Sequence, residues 1–270
     1  MAERIVERGG VELAVEDVGP SDGAPVVLLH GLTATRRYVV MGSKALERSG
    51  HRVVAYDARG HGRSTPAHAY RYEDLAGDLL AVMDACGVER AVLAGASMGA
   101  HTLLRAALNA PGRVAGIVAV TPAFDPDVPA DLERWDELAQ GLRSGGIEGF
   151  VEAYRVEGEV PEGWAETVRT VLRQRMAQHE HLGAVADALQ QVPRSLPFGA
   201  LAELGAVDVP AVVVASRDEA DPGHPLAVGE AYAAAIPGAR IVVEEPGRSP
   251  LAWQGGQLSR VIAELAAQAR

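Results

Sequence analysis

Ala91-Val92-Leu93-Ala94 leads into Gly95-Ala96-Ser97-Met98-Gly99, and Ala100-His101-Thr102-Leu103-Leu104 follows. The apolar run reads as a buried strand and the trailing segment as a helix, so the five residues between them must turn the chain sharply. A G-x-S-x-G pentapeptide in that context is a nucleophile elbow, in which the serine takes a strained backbone conformation and small neighbours leave room for its Cβ. Ser97 is therefore expected to project from the top of a sheet, at the start of a helix whose dipole favours developing negative charge.

Outward from the elbow, the apolar run recurs. Residues 25–29, 51–56, 114–120 and 210–215 are continuous apolar stretches bounded by turn residues, as strands covered on both faces should be, and 240–243 adds a shorter one. Residues 4–8 and 11–18, joined by Gly9-Gly10, read as a hairpin at one edge of the sheet. Helical patterns lie between them at 36–49, 72–86, 98–109, 226–236 and 251–268. Such alternation predicts a mostly parallel sheet with helices on both faces. It breaks once, over 125–207, where helical stretches and no strand appear. This divides the chain into a core of 1–124 and 208–270 and a helical lid of 125–207. The lid begins acidic, with eleven Asp/Glu against three Arg between 125 and 162, a face that would repel anionic substrates.

Composition excludes several classes. The 270 residues carry a net charge of −11 with no Lys/Arg-rich run, so the electrostatic attraction that dominates nucleic-acid binding is missing and anionic membranes are disfavoured. No stretch approaches the ~18 apolar residues a membrane span requires. Cys86 is the single cysteine, and the charged residues Glu3, Arg4, Glu7 and Arg8 stand where a secretion signal needs an apolar run; both fit a cytoplasmic protein. His179-Glu180-His181 is not read as a metal site, because residues i and i+2 of a helix point ~200° apart. The Gly95–Gly99 turn lacks the lysine of a phosphate-binding loop. No cofactor and no metal are expected, the partner is a small molecule, and oligomeric state is left open.

His30-Gly31-Leu32 follows the 25–29 strand, and Asp57-Ala58-Arg59-Gly60-His61-Gly62-Arg63-Ser64 follows the next. With the elbow, these motifs resemble the α/β-hydrolase family over most of the chain outside the lid. The resemblance implies an α/β fold of that type, with an oxyanion hole formed by the backbone N–H groups of Leu32 and Met98, and with His30 holding the oxyanion loop. It also implies an acid after the next-to-last strand. Here Val213-Val214-Ala215-Ser216-Arg217-Asp218 leads to Pro222, which makes Asp218 that acid; Asp125, beyond the 114–120 strand, is the fallback. The implied activity is that of a serine hydrolase on a small or medium carboxylic ester, lactone or related acyl compound.

The family's general base normally follows a glycine after the last strand, where this chain has Gly247-Arg248. A guanidinium stays protonated and cannot accept the serine proton. Another histidine serves, or the triad is incomplete. His224, in the turn-rich Asp221-Pro222-Gly223-His224-Pro225 at the catalytic edge of the sheet, is one candidate. His179, on the lid face shared with Val168, Leu172 and Met176, is another, as base or ligand contact. His101 is expected to pack and His61 to hold its own Gly-rich turn. Arg248, were it to face the pocket, would suit an anionic or carbonyl-bearing ligand. The alternative function is then a ligand-binding or sensor protein on a hydrolase scaffold that has lost its base.

Overall fold

A computed structural model describes residues 2–155, 163–217 and 221–269; Asp218, the expected acid, lies outside the described residues. The strands are β1 (Ala2–Arg8), β2 (Val11–Val18), β3 (Pro25–Leu29), β4 (Arg52–Tyr56), β5 (Ala91–Ala96), β6 (Val114–Val120), β7 (Ala211–Ala215) and β8 (Arg240–Val243). They form one sheet of eight in the order β1-β2-β4-β3-β5-β6-β7-β8. β1 and β2 pair antiparallel, as does β2 with β4, and every later pairing is parallel.

Alternation along the buried strands builds two cores. Val27, Leu29, Leu93, Ile117 and Val213 face one side, while Val26, Leu28, Val92, Ala94, Val118, Val212 and Val214 face the other. On the first side pack α2 (Tyr72–Ala85), α3 (Met98–Asn109) and α7 (Leu226–Ala235), through residues such as Leu79, Leu103 and Tyr232. On the second pack α1 (Ala45–Arg48) and α8 (Gly255–Gln268), through Leu46, Leu258, Ile262 and Leu265.

Two helices foreseen from periodicity are shorter than the pattern. The 36–49 stretch splits into a 3-10 turn at Tyr38–Val40 and the single-turn α1, with Met41 and Gly42 in left-handed conformation between them. α8 crosses so closely here that a Cβ on Gly255 would lie 2.0 Å from the Val40 carbonyl oxygen, so the chain bends around it. Likewise Leu251–Trp253 is a 3-10 turn that precedes α8.

Between β6 and β7 lie α4 (Leu132–Ala153), α5 (Ala165–Met176) and α6 (Leu182–Gln191). α4 folds back at Gly146 (φ 60°), and its two arms approach so closely that a Cβ on Gly141 would meet the Gly149 carbonyl at 2.4 Å. These helices have a core of their own, including Leu138, Leu142, Phe150, Leu172, Met176 and Leu189. Phe198, Leu204 and Val207, further along, pack into the main sheet core instead. On the surface of these helices the acids are partly offset by exposed ion pairs, such as Arg155–Glu137, Arg173–Glu148 and Arg194–Asp136.

Candidate active site

Ser97 sits between β5 and α3 with φ 50° and ψ −115°, a backbone conformation that side-chain-bearing residues rarely adopt. Its N–H donates to the Val120 carbonyl at 2.9 Å and its carbonyl accepts from the His101 N–H at 3.0 Å. The flanking glycines are obligatory on steric grounds. A Cβ on Gly95 would lie 2.4 Å from the Gly99 carbonyl, and one on Gly99 would lie 2.1 Å from the Leu29 carbonyl oxygen. A Cβ on Gly31 would sit 3.3 Å from the Ala96 carbonyl oxygen and 3.4 Å from Ser97 Cβ, so the loop after β3 rests directly on the elbow.

That loop is pinned from several directions. His30 accepts the Ala58 N–H at Nε2 (2.9 Å), which leaves its proton on Nδ1 to donate to the Gly31 carbonyl at 2.7 Å. Burial holds the His30 imidazole below its ordinary pKa, partly opposed by the charge of Asp57. The Ala34 N–H also donates to the Gly31 carbonyl, closing a turn in which Leu32 and Thr33 are the central residues. Among the described residues, neither the Leu32 nor the Met98 N–H has a hydrogen-bond acceptor. One of these donors lies on the loop after β3 and the other at the first residue of α3, next to Ser97; unpaired N–H groups of this kind can bind an anion. Asp57 ties the same loop to the next one, accepting the Arg36 N–H at 2.8 Å and the Arg63 N–H at 3.1 Å.

The histidines separate by their partners. His224 is part-buried, and its Nδ1 lies 2.7 Å from Asp221 Oδ1, so in the neutral ring Nδ1 carries the proton and Nε2 has the lone pair. It also faces His101, one turn into α3 from Ser97, whose pKa a proton on His224 would lower further. His101 packs, as expected: Nε2 accepts the Ala123 and Phe124 N–H groups at 3.1 Å, and Nδ1–H donates to the Tyr72 hydroxyl at 2.9 Å. Burial pushes its pKa down to about 3. His61 donates from Nδ1 to the Arg59 carbonyl at 2.9 Å, and its buried Nε2 has no partner among the described residues.

His179 falls beyond the end of α5, not on the helix, and both of its nitrogens are taken by backbone. Nδ1 accepts the Gly62 N–H at 2.8 Å and Nε2–H donates to the Thr33 carbonyl at 2.9 Å. An imidazole bonded in this way has no lone pair left for the Ser97 proton or for a ligand. Arg248 turns to solvent: its side chain is 72% exposed and lies 3.9 Å from Glu245. Asp125 is occupied locally, accepting the Asp127 N–H at 2.9 Å.

Two carboxylates not foreseen from the sequence shape the C-terminal edge. Asp221 partners His224. Glu244, buried at the end of β8, accepts the N–H groups of Arg217 and Leu251 and so joins the loop after β7 to the segment that follows β8. The signal available for both was weak, since an acid just past a strand is also an ordinary turn residue.

A family model for the alpha/beta hydrolase fold matches residues 24–254. The chain belongs to the α/β-hydrolase family. The hydrolase is 32% identical over 205 residues to a putative carbamate hydrolase, RutD, of Variovorax paradoxus, covering 75% of this chain and 76% of that one. It is 30% identical over 286 residues to the rhodomycin D methylesterase DauP of a Streptomyces species, covering 93% and 94%. Among solved structures it resembles a thermophilic esterase from Thermogutta terrifontis, with a TM-score of 0.80, 26% identity and coverage of 100% and 99%. These relatives are hydrolases and esterases, and the hydrolase is an enzyme of their family. No helix among its described residues is long and apolar enough to cross a membrane.

Proposed function

We propose that this enzyme hydrolyses a small or medium ester, lactone, carbamate or related acyl compound through an acyl-enzyme on Ser97. The conformation of Ser97 carries the reading, because a left-handed serine wedged between a strand and a helix by two sterically required glycines has no need to be there for packing. Ser97 Oγ attacks the carbonyl carbon, and the developing oxyanion is held by the N–H groups of Leu32 and Met98. The serine proton passes to His224 Nε2 and then to the leaving group. Water attacks the acyl-enzyme in the second half-reaction, with His224 again taking a proton. Asp221 holds the imidazole in the tautomer this needs, with Asp218 as the alternative orienting acid. The carbamate hydrolase and methylesterase relatives support the substrate class. The sensor alternative rests on the arginine standing where the family has its base; an Arg248 exposed to solvent means that the base lies elsewhere, and the His224–Asp221 pair favours the hydrolase reading. The residues 125–207 are proposed to act as the cap that closes over substrate.

The test is a panel of activated acyl esters, lactones and carbamates assayed with wild type and Ser97→Ala, with mass spectrometry of the wild type quenched in acid. Loss of hydrolysis in Ser97→Ala and an acyl adduct on the peptide containing Ser97 are expected. Hydrolysis that survives Ser97→Ala overturns the proposal.

A further inference from the structure

His179 is the point where the cap grips the loop over the elbow. It lies between α5 and α6, and its neighbours take part in the same junction: the Glu180 N–H donates to the Gly62 carbonyl at 2.9 Å, and Thr35 Oγ1 is 3.4 Å from Gln178 Oε1. The acceptor at Nδ1 faces the Gly62 N–H, so the single ring proton is on Nε2 and aimed at the Thr33 carbonyl. Thr33 is buried and has φ 68°, the second central position of the turn from Gly31 to Ala34. That position suits glycine; a β-branched residue leaves it unless neighbouring bonds prevent it. The turn is fixed at its first carbonyl, that of Gly31, by His30 and the Ala34 N–H. Its other fixed point is the Thr33 carbonyl, and the residue that fixes it comes from the cap.

We infer that His179 is a positioning residue for the oxyanion loop: by holding the Thr33 carbonyl it keeps the turn in the conformation that presents the Leu32 N–H toward Ser97. The inference rests on the reading of Ser97 and Leu32 given above. It makes the cap a structural contributor to the oxyanion hole as well as a cover for substrate. His179 touches neither the serine nor the reacting carbonyl.

The amide nitrogen of a glutamine can occupy the place of imidazole Nε2 and still donate to Thr33, whereas the shorter asparagine reaches only the place of Nδ1. His179→Ala, His179→Gln and His179→Asn are therefore compared with wild type on an activated acyl ester, with each folded fraction measured by chemical denaturation. His179→Ala and His179→Asn should lose about 10- to 100-fold in kcat per folded molecule with KM within about twofold, and His179→Gln should recover most of it. A trifluoromethyl ketone, which forms a tetrahedral oxyanion on a serine, should bind the alanine variant more weakly by a similar factor. Equal kcat in the alanine and glutamine variants, or a loss that follows the folded fraction alone, overturns the inference. If Ser97→Ala is inactive while His179→Ala keeps full kcat, only this inference fails. If Ser97→Ala hydrolyses the ester at the wild-type rate, the reading of Ser97 fails and takes this one with it.

Discussion

His224 and Asp221 form a carboxylate–imidazole pair, with Nδ1 and Oδ1 2.7 Å apart, within a single turn after β7. The pair fixes which ring nitrogen is free. His224→Ala is expected to lower kcat by about 10²- to 10⁴-fold, the usual contribution of a general base. Asp221→Asn should lower it at least about tenfold, because an amide N–H facing Nδ1 leaves the proton on Nε2, the wrong nitrogen for a base. Steady-state kinetics on an acyl ester check both, with Asp218→Asn alongside. A large loss in Asp218→Asn and none in Asp221→Asn moves the orienting role to Asp218.

The elbow's glycines differ in how much room they leave, and their alanine variants should differ accordingly. Gly99→Ala puts a Cβ 2.1 Å from the Leu29 carbonyl oxygen, backbone against backbone, and is expected to cost more than about 4 kcal/mol. Gly31→Ala meets its nearest atoms at 3.3 Å and 3.4 Å, so it should fold and lose about tenfold in kcat through a displaced loop. Soluble yield and thermal melting separate the two. A Gly99→Ala protein that melts with the wild type contradicts the packing described.

Acid should destabilise the fold through its buried imidazoles. Burial is the first cause that lowers His101 to about 3 and His179 to about 4, and it depresses His30 and His61 as well. In the unfolded chain each titrates near 6.5. Below that pH the unfolded state binds protons that the native state refuses, so stability is fully present above about 6.5 and is lost as pH falls toward the folded values. Each imidazole contributes about 1.4 kcal/mol per pH unit inside its window. Urea unfolding at pH 7, 6 and 5 should show this slope, and His101→Gln should flatten it. A flat profile in the wild type is the contrary result.

Arg59 and Asp78 form a buried pair, Nε to Oδ2 and Nη2 to Oδ1 each at 2.7 Å, with the Arg59 fork also donating to the Ala69 carbonyl. Asp78→Asn leaves the buried guanidinium with only the more distant Asp74, at 3.8 Å, takes a partner from Arg8 as well, and is expected to cost about 3–5 kcal/mol. Arg59→Met with Asp78→Leu should recover part of it, since most of the penalty lies in the buried guanidinium and the half-exposed Arg8 can turn to solvent. Denaturant midpoints of the single and double variants check both statements.

Strand periods and the elbow pentapeptide made the sheet legible, because a strand buried on both faces must be apolar along its whole length whatever it packs against. β3, β6 and β8 fall where the apolar runs fall, and the loops that carry His30 and Ser97 follow from their ends. Helices were less legible wherever a neighbour imposed the shape. The 36–49 pattern is amphipathic, yet the close crossing of Gly255 against Val40 bends it into a turn and a single helical turn. Histidine roles were the least legible. His179 and His224 each follow a helical or turn-rich stretch, and nothing local distinguishes an imidazole with both nitrogens bonded to backbone from one with a free lone pair.

The sequence by itself determined the sheet, the strained serine at its carboxyl edge and the failure of Arg248 to act as a base, since these depend on apolar period, turn sterics and the pKa of a guanidinium. Only the tertiary structure decided that Arg248 is exposed, that Asp221 partners His224 and that His179 joins the segment between α5 and α6 to Thr33. The reason is that a hydrogen-bond partner is chosen by proximity in space: Thr33, Gly62 and His179 come from three separate segments, and which of them meet is set by how the helices between β6 and β7 dock on the sheet.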